Sequence, residues 1–384
     1  TFTYFDKTSG LQNTIIMGVT QTSTGKIYVA GYGGGIYSIE KNSQLTQLNK
    51  IDATLAQSRI NSLFTDSSDI VWVGTVNKGV WKFNEGNKSE QIADINNLVE
   101  VQGAICFYER TRGEILIGTS TGLFIYNKKK QILKVSGLHN FLITSIKAFN
   151  KDCLVIGTGK GLYFLNHQNQ IIEPPDNATK NIPILCLAQK GSDTWIGTTD
   201  RGVICWNSKN GNVKHYNTSV GLPSNFIYSI DISDNRNVWI GTGFGISNMK
   251  LNTHDSILAI KNFGRSDGLF GMECSHNGLL KAKDSSLWFG TTKGLFHFNP
   301  NSSFSDDVKP FVLLKSVKLF SESIKDTTLY TNKNLWFDVP SNLILKSNQN
   351  HLTFELGCIF HTNPEDIIYK YKLNNTDKDF TFSS

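Results

Sequence analysis

The sequence is short of several features that would point elsewhere. Only 18% of its 384 residues are charged, too few for a chain kept disordered by its own charge. Hydrophobic residues make up 39%, a globular composition. Proline is scarce, 8 residues against 33 glycines. That balance favours many tight turns between strands over a proline-rich linker. No apolar stretch approaches the length that spans a bilayer. Thr1-Phe2-Thr3-Tyr4-Phe5 has neither the charged n-region nor the apolar h-region of a signal peptide. If the parent protein is exported or membrane-bound, those segments are expected outside this sequence.

Six cysteines are present, Cys106, Cys153, Cys186, Cys205, Cys274 and Cys358, and no two form a C-x-x-C pair. A zinc ribbon or a thioredoxin-type site is therefore unsupported, and no metal or cofactor is expected. Most stand in apolar strand-like runs such as Ala104-Ile105-Cys106-Phe107 and read as buried free thiols. They leave the redox compartment open. The net charge of +6 is spread along the chain. Its densest basic run, Lys128-Lys129-Lys130, reads as a solvated turn, so no nucleic-acid partner is expected.

What is present is a repeat: an apolar pair, Gly-Thr, a short gap, then Gly and an apolar strand. It runs Trp72-Val73-Gly74-Thr75 to Gly79-Val80, and Leu116-Ile117-Gly118-Thr119 to Gly122-Leu123. It returns at Val155 to Leu162, Trp195 to Val203, Trp239 to Ile246 and Trp288 to Leu295, and an earlier copy reads Val29-Ala30-Gly31 to Gly35-Ile36. The seven copies recur every 39–49 residues, enough for four short strands and their turns, which is one propeller blade. After the second glycine the residues alternate, as in Gly79-Val80-Trp81-Lys82-Phe83. Alternation with β-branched and aromatic enrichment is a strand signal. The second glycine opens a strand after a tight turn, where positive φ is needed. The first lies two residues after the Trp, where a missing side chain lets a neighbouring sheet approach. The Trp is expected to fill the gap between blades.

The predicted class is therefore all-β: a seven-bladed β-propeller over residues 1–302, followed by a partial β-sandwich over 303–384. Blade 6 divides into Phe226–Ile230, Val238–Thr242, Gly245–Lys250 and Ile257–Phe263, strands A to D. Blade 7 has no outer strand after Asn299. Thr1–Phe5 reads as that strand, because Phe5-Asp6-Lys7-Thr8-Ser9-Gly10-Leu11 parallels Tyr216-Asn217-Thr218-Ser219-Val220-Gly221-Leu222. The ends should meet and close the ring. From Pro310 the repeat stops. Strands are expected within Phe311–Phe320, Leu343–Leu345, His351–Leu356 and Ile368–Leu373. Ser384 falls before a sandwich could complete its sheets.

The repeat Trp-Ile-Gly-Thr-x-x-x-Gly-Val/Leu, with Gly221-Leu222-Pro223-Ser224-Asn225 upstream, resembles the two-component-regulator propeller repeat. Asp267 to Glu273 followed by Asn277-Gly278 and Leu287 to Leu295 resembles the last blade of such sensors. Ile368 to Phe380 is similar to the opening of the Tyr-rich Ig-like domain that follows them. That family usually has Gly before Asp377 and Trp after Asp379, where this sequence has Thr376 and Phe380. The resemblance implies the periplasmic sensor region of a hybrid two-component system histidine kinase, an inner-membrane protein. Such sensors carry two propellers, a Tyr-rich domain, one membrane span and a cytoplasmic kinase, and they detect breakdown products of complex glycans. This chain would be the second propeller and part of the next domain. A homodimer is expected in the intact receptor.

Ligand candidates follow from propeller geometry, in which the D–A and B–C loops gather around one mouth of the central channel. The longest repeat spacing precedes blade 7, so its D–A loop, Gly264 to Asn277, should stand proudest. Glu273, His276 and Asn277 could hydrogen-bond sugar hydroxyls. Arg59 lies in the blade 2 D–A loop, and Arg201 and Phe244 lie in B–C turns, where Phe244 could stack on a sugar ring. Each has a plainer reading as a surface charge, a turn cap or packing; only convergence on one face ranks them higher. An oligosaccharide or other small molecule is the expected ligand. The enzyme alternative is a propeller lyase or glycosidase, with His276 as a base or Glu273 paired with Asp200, but no facing carboxylate pair can be read off. Sialidase-type Ser-x-Asp-x-Gly-x-Thr-Trp boxes are lacking. A protein-interaction scaffold is a third reading, although Gly-His and Trp-Asp dipeptides do not occur.

Overall fold

The computed structural model describes residues 2–33, 35–40, 44–48, 51–86, 88–92, 103–174, 179–233, 237–252, 256–264, 267–269, 273–299, 311–334, 336–359, 369–372 and 381–383. The chain divides into two compact units, Thr1–Ser302 and Ser303–Ser384.

The first unit is a seven-bladed propeller. Each blade is a four-stranded antiparallel sheet. Strands are lettered from the channel outwards. The innermost, strand A, spans Ile16–Gln21, Ile60–Thr65, Ala104–Thr111, Ile143–Ala148, Ile184–Lys190, Ile227–Ser233 and Cys274–Lys281 in blades 1 to 7. Each packs beside the next, and the last returns to the first. In six blades the chain simply meanders outwards from A to D. In blade 7 the outer strand comes from the other end of the chain. Phe2–Phe5 pairs with Leu295–Phe298 in the register Phe2↔Phe298 to Phe5↔Leu295. The closure expected from the sequence is thereby present.

The apolar core is not central. It lies in seven clusters, each joining one blade to the next, including one that runs from blade 7 back to blade 1. The reason is local. A blade alternates side chains across both of its faces, so both must be covered by neighbouring sheets. The repeated Trp does this forwards. Trp239 of blade 6 packs with Phe298 at 5.0 Å and Phe289 at 6.4 Å between centroids, both from blade 7. Trp195 likewise joins the cluster shared by blades 5 and 6. The glycine two residues on admits the neighbour. A Cβ on Gly197 would run into Cys186 of its own sheet and Ile227 of the next blade. The Thr after it is buried and donates its Oγ1 hydrogen to the carbonyl of the second glycine, as Thr198 does to Gly202 at 2.8 Å. That bond ties off the turn from the second strand to the third. The second glycine has positive φ, +75° at Gly202.

Blade 1 departs from the expected alignment by one residue. Gly31 faces Ile16, the place that Thr75 takes opposite Ile60 in blade 2. Ala30 therefore holds the position of the first glycine, and Gly18 lies opposite it in the place of Ser62. The small residue has moved across the ladder, so one methyl still fits between the sheets.

The second unit is also antiparallel. Phe311–Leu319 pairs with Leu352–Ile359 and with Glu322–Ser323. Tyr369–Tyr371 pairs with Thr381–Ser383. Leu343–Leu345 is not a strand. Pro340–Ser341 pairs with Asn332–Lys333, Asn342 then turns with φ +50°, and the Ile344 amide bonds Leu329. The sequence resemblance through Asn374–Phe380 lies outside the described residues.

Two outcomes follow. Trp239→Ala should cost about 3–5 kcal/mol in equilibrium denaturation, since it empties an interface that no other side chain can reach. Deleting residues 1–5 should lower Tm sharply, because Phe5 is buried against Trp288 at 5.9 Å and the edge of blade 7 would be bared. An unchanged Tm would refute the closure.

Candidate functional site

The channel is built from the strand A edges, and each starts with an irregularity. In blades 1 to 6 one residue bulges out of register: Met17, Asn61, Ile105, Thr144, Leu185 and Tyr228. A bulge re-aims a side chain out of the sheet. Five of these residues, with Leu142 and His276, line a mouth chamber of about 240 Å³ at the end carrying the D–A and B–C loops.

Blade 7 departs further. Between Cys274↔Thr291 and Leu279↔Phe289 the residues Ser275–Gly278 stand opposite Gly290 alone. Asn277 takes φ +59° to make the excursion. His276 Nε2 reaches the Leu185 carbonyl of blade 5 at 2.7 Å. Asn277 Nδ2 donates to the Ile105 carbonyl of blade 3 at 2.5 Å and meets His276 Nδ1 at 2.9 Å. The pair is a crossbar tying blade 7 to two blades it does not adjoin. His276 lines the mouth chamber, and Asn277 lines a second one of about 380 Å³ towards the opposite end.

This places two of the expected ligand residues differently. His276 and Asn277 belong to strand A of blade 7, not to its D–A loop. Both ring nitrogens and the amide are spent on protein groups, because a buried polar side chain must find its partners within the fold. Burial holds the His276 pKa below its usual value, against the raising effect of the Leu185 carbonyl. In the neutral ring Nε2–H donates and Nδ1 accepts, which satisfies both contacts.

The other candidates face solvent, from separate blades. Glu273 precedes strand A of blade 7 and accepts a hydrogen bond from the Tyr228 hydroxyl. Burial, reinforced by that carboxylate, pushes the Tyr228 pKa up. Arg59 sits in the blade 2 D–A loop with its guanidinium 5.4 Å from the Tyr32 ring centroid. Arg201 occupies a B–C turn, its amide bonded to Thr198 Oγ1. Phe244 occupies the next such turn and is 60% exposed, so its ring is free to stack. Phe226 against Tyr228 at 4.7 Å, and Lys160 over Phe141 at 4.8 Å, add two aromatic pairs the sequence reading did not select. Aligning the second residue of every strand A would have exposed Tyr228 and the chamber residues as a set. With an aromatic and cationic rim over a partly polar floor, this mouth suits a ligand with flat apolar faces and hydroxyl edges.

No protein-family model matches the chain. The extracellular domain of the hybrid two-component system BT3049 from B. thetaiotaomicron superposes over 100% of this chain with a TM-score of 0.74 at 21% identity. Virginiamycin B lyase from Staphylococcus aureus matches 78% of the chain with a TM-score of 0.58 at 11% identity. In sequence, histidine kinase P4 of Formosa agariphila is 26% identical over 104 residues. The chain spans about half of the BT3049 domain, 52%, and 7% of histidine kinase P4. These identities establish the fold: that of the extracellular domains of hybrid two-component systems, a β-propeller followed by a second β-unit. No helix among the described residues is long and apolar enough to cross a membrane.

The crossbar should be visible in solution. Asn277→Ala leaves the Ile105 carbonyl and His276 Nδ1 without their donor and should cost about 1–3 kcal/mol. His276 should also shape the acid limb of stability. Its folded pKa is depressed, so the unfolded state binds its proton first. The contribution is complete above the ordinary value of about 6.5 and is lost as pH falls below it. Denaturation at pH 8 and pH 5 should show a smaller loss for His276→Gln than for the parent. A residual slope from His297, also depressed by burial, should remain.

Proposed function

We propose that this chain is part of the ligand-sensing extracytoplasmic region of a hybrid two-component histidine kinase. The observation that carries the reading is the superposition of both units, in order, on one extracellular domain of such a system. The repeat and the histidine kinase relative point the same way. On this reading the region is periplasmic, the second unit is the start of the Ig-like Tyr-rich domain, and membrane span and kinase lie in other segments. The ligand is a glycan-derived oligosaccharide held at the mouth by Arg59, Arg201, Phe244 and Glu273, and the intact receptor signals as a homodimer.

A lyase is the second reading, favoured by the virginiamycin lyase likeness, which extends over the propeller portion only. Against it stands the state of His276, the one imidazole lining the mouth chamber. A general base needs a free nitrogen directed at substrate, and both of its nitrogens are engaged.

A thermal-shift screen of oligosaccharides on the full ectodomain tests the proposal. A sensor ligand should raise Tm with concentration, by about 2.7 kcal/mol of stabilisation at a hundred times Kd. Phe244→Ala and Arg59→Ala should each weaken that shift without changing Tm of the free protein. Turnover of a substrate by the isolated region would refute the sensor reading.

A further inference from the structure

The chamber beyond the crossbar has a chemistry of its own. It opens towards the end of the propeller where the A strands finish, away from the rim described above. Its wall is largely apolar, with Leu63, Phe107, Ile146 and Leu279 among the lining residues. Hydroxyls punctuate it, Thr20 and Thr65 being bonded to each other at 2.8 Å. One cation lines it, Lys147. Among the described residues no carboxylate lies within ion-pair distance of Lys147.

Nearby acidic groups are already committed. Asp66 accepts from the Ser68 and Ile70 amides and from Trp72 Nε1. Glu109 accepts from Ser67 and from the Gly113 amide. Asp231 also has a partner. Two thiols beside the chamber feel the ammonium. Burial lifts Cys106 and Cys186 to about 12, and the Lys147 charge is the leading influence that opposes it in each. Its field thus reaches across to the strand A edges of blades 3 and 5. An uncompensated cation in an apolar, semi-enclosed space is a site for an opposite charge, because the local dielectric is below that of water.

We propose that this chamber is a second binding site, separate from the mouth, for a small organic carboxylate with an apolar body. The carboxylate pairs with Lys147 and the body lies against Leu63, Phe107 and Leu279. The crossbar closes the inner end, so the ligand enters and leaves from the strand A termini. A volume of about 380 Å³ holds a single aromatic or branched aliphatic acid and excludes a long chain.

Titration of the propeller-containing chain with phenylacetate, and with phenylacetamide as its neutral counterpart, tests this. Phenylacetate should bind and the amide should bind at least about tenfold more weakly, the range for losing a charge-assisted hydrogen bond. Lys147→Met should weaken phenylacetate by about ten- to a hundredfold, Lys147→Arg should restore much of it, and Phe244→Ala at the other end should leave it unchanged. Phenylacetate should also slow acetylation of Lys147 in the unmutated chain, a readout that needs no variant to fold. Absence of phenylacetate binding, equal binding of acid and amide, or undiminished affinity in Lys147→Met would each overturn the proposal.

Discussion

A sheet with two apolar faces has no interior of its own, and the seven sheets here solve this by burying each face against the next. Everything else depends on how closely two sheets can approach. A wide ring residue, Trp72, Trp195, Trp239 or Trp288, reaches forwards, while a residue without a side chain two positions later lets the next strand A come in. Neither works without the other. The ring residue fills space that a missing Cβ allowed the backbones to define, and an interior so packed tolerates little change in volume. Blade 1 shows the rule by breaking its usual form: Ala30 takes the glycine position only because Gly18 faces it.

The repeat carried the fold in plain view, since each conserved feature of it answers one local demand: a turn, a cap, a gap, a wedge. The number of blades, strand A to D of blade 6 and closure by Phe2–Phe5 could all be read from pattern. Blade 1 was misaligned because Gly31 mimics a glycine that belongs one place earlier. Leu343–Leu345 was misassigned because three apolar residues satisfy a strand pattern equally well where the backbone turns at Asn342. The site was less legible. Glu273, Arg59, Arg201 and Phe244 fall in loops that the repeat already marks. His276 and Asn277 were assigned to the same loop because nothing in their identity distinguishes a protruding segment from one folded inwards. That choice is made by the free carbonyls of Leu185 and Ile105, which lie 91 and 172 residues away in sequence.

The crossbar divides the channel into two rooms of different character. The mouth room has an aromatic and cationic rim set by loop residues, which can vary without disturbing the sheets. The far room is lined by strand A residues whose neighbours pack the interfaces, so its shape is bound to the architecture. Separate walls and separate entrances mean that what occupies one room need not resemble what occupies the other.

The pairing that closes the ring also decides how it answers to force. Phe2 lies opposite Phe298, so the chain enters and leaves blade 7 at the same corner of one antiparallel ladder. Tension drawn apart between those two residues loads the ladder one rung at a time, as a zip is opened, instead of shearing all rungs together. The seam of the ring is therefore its mechanically softest line, although its apolar packing is as complete as that of any other interface.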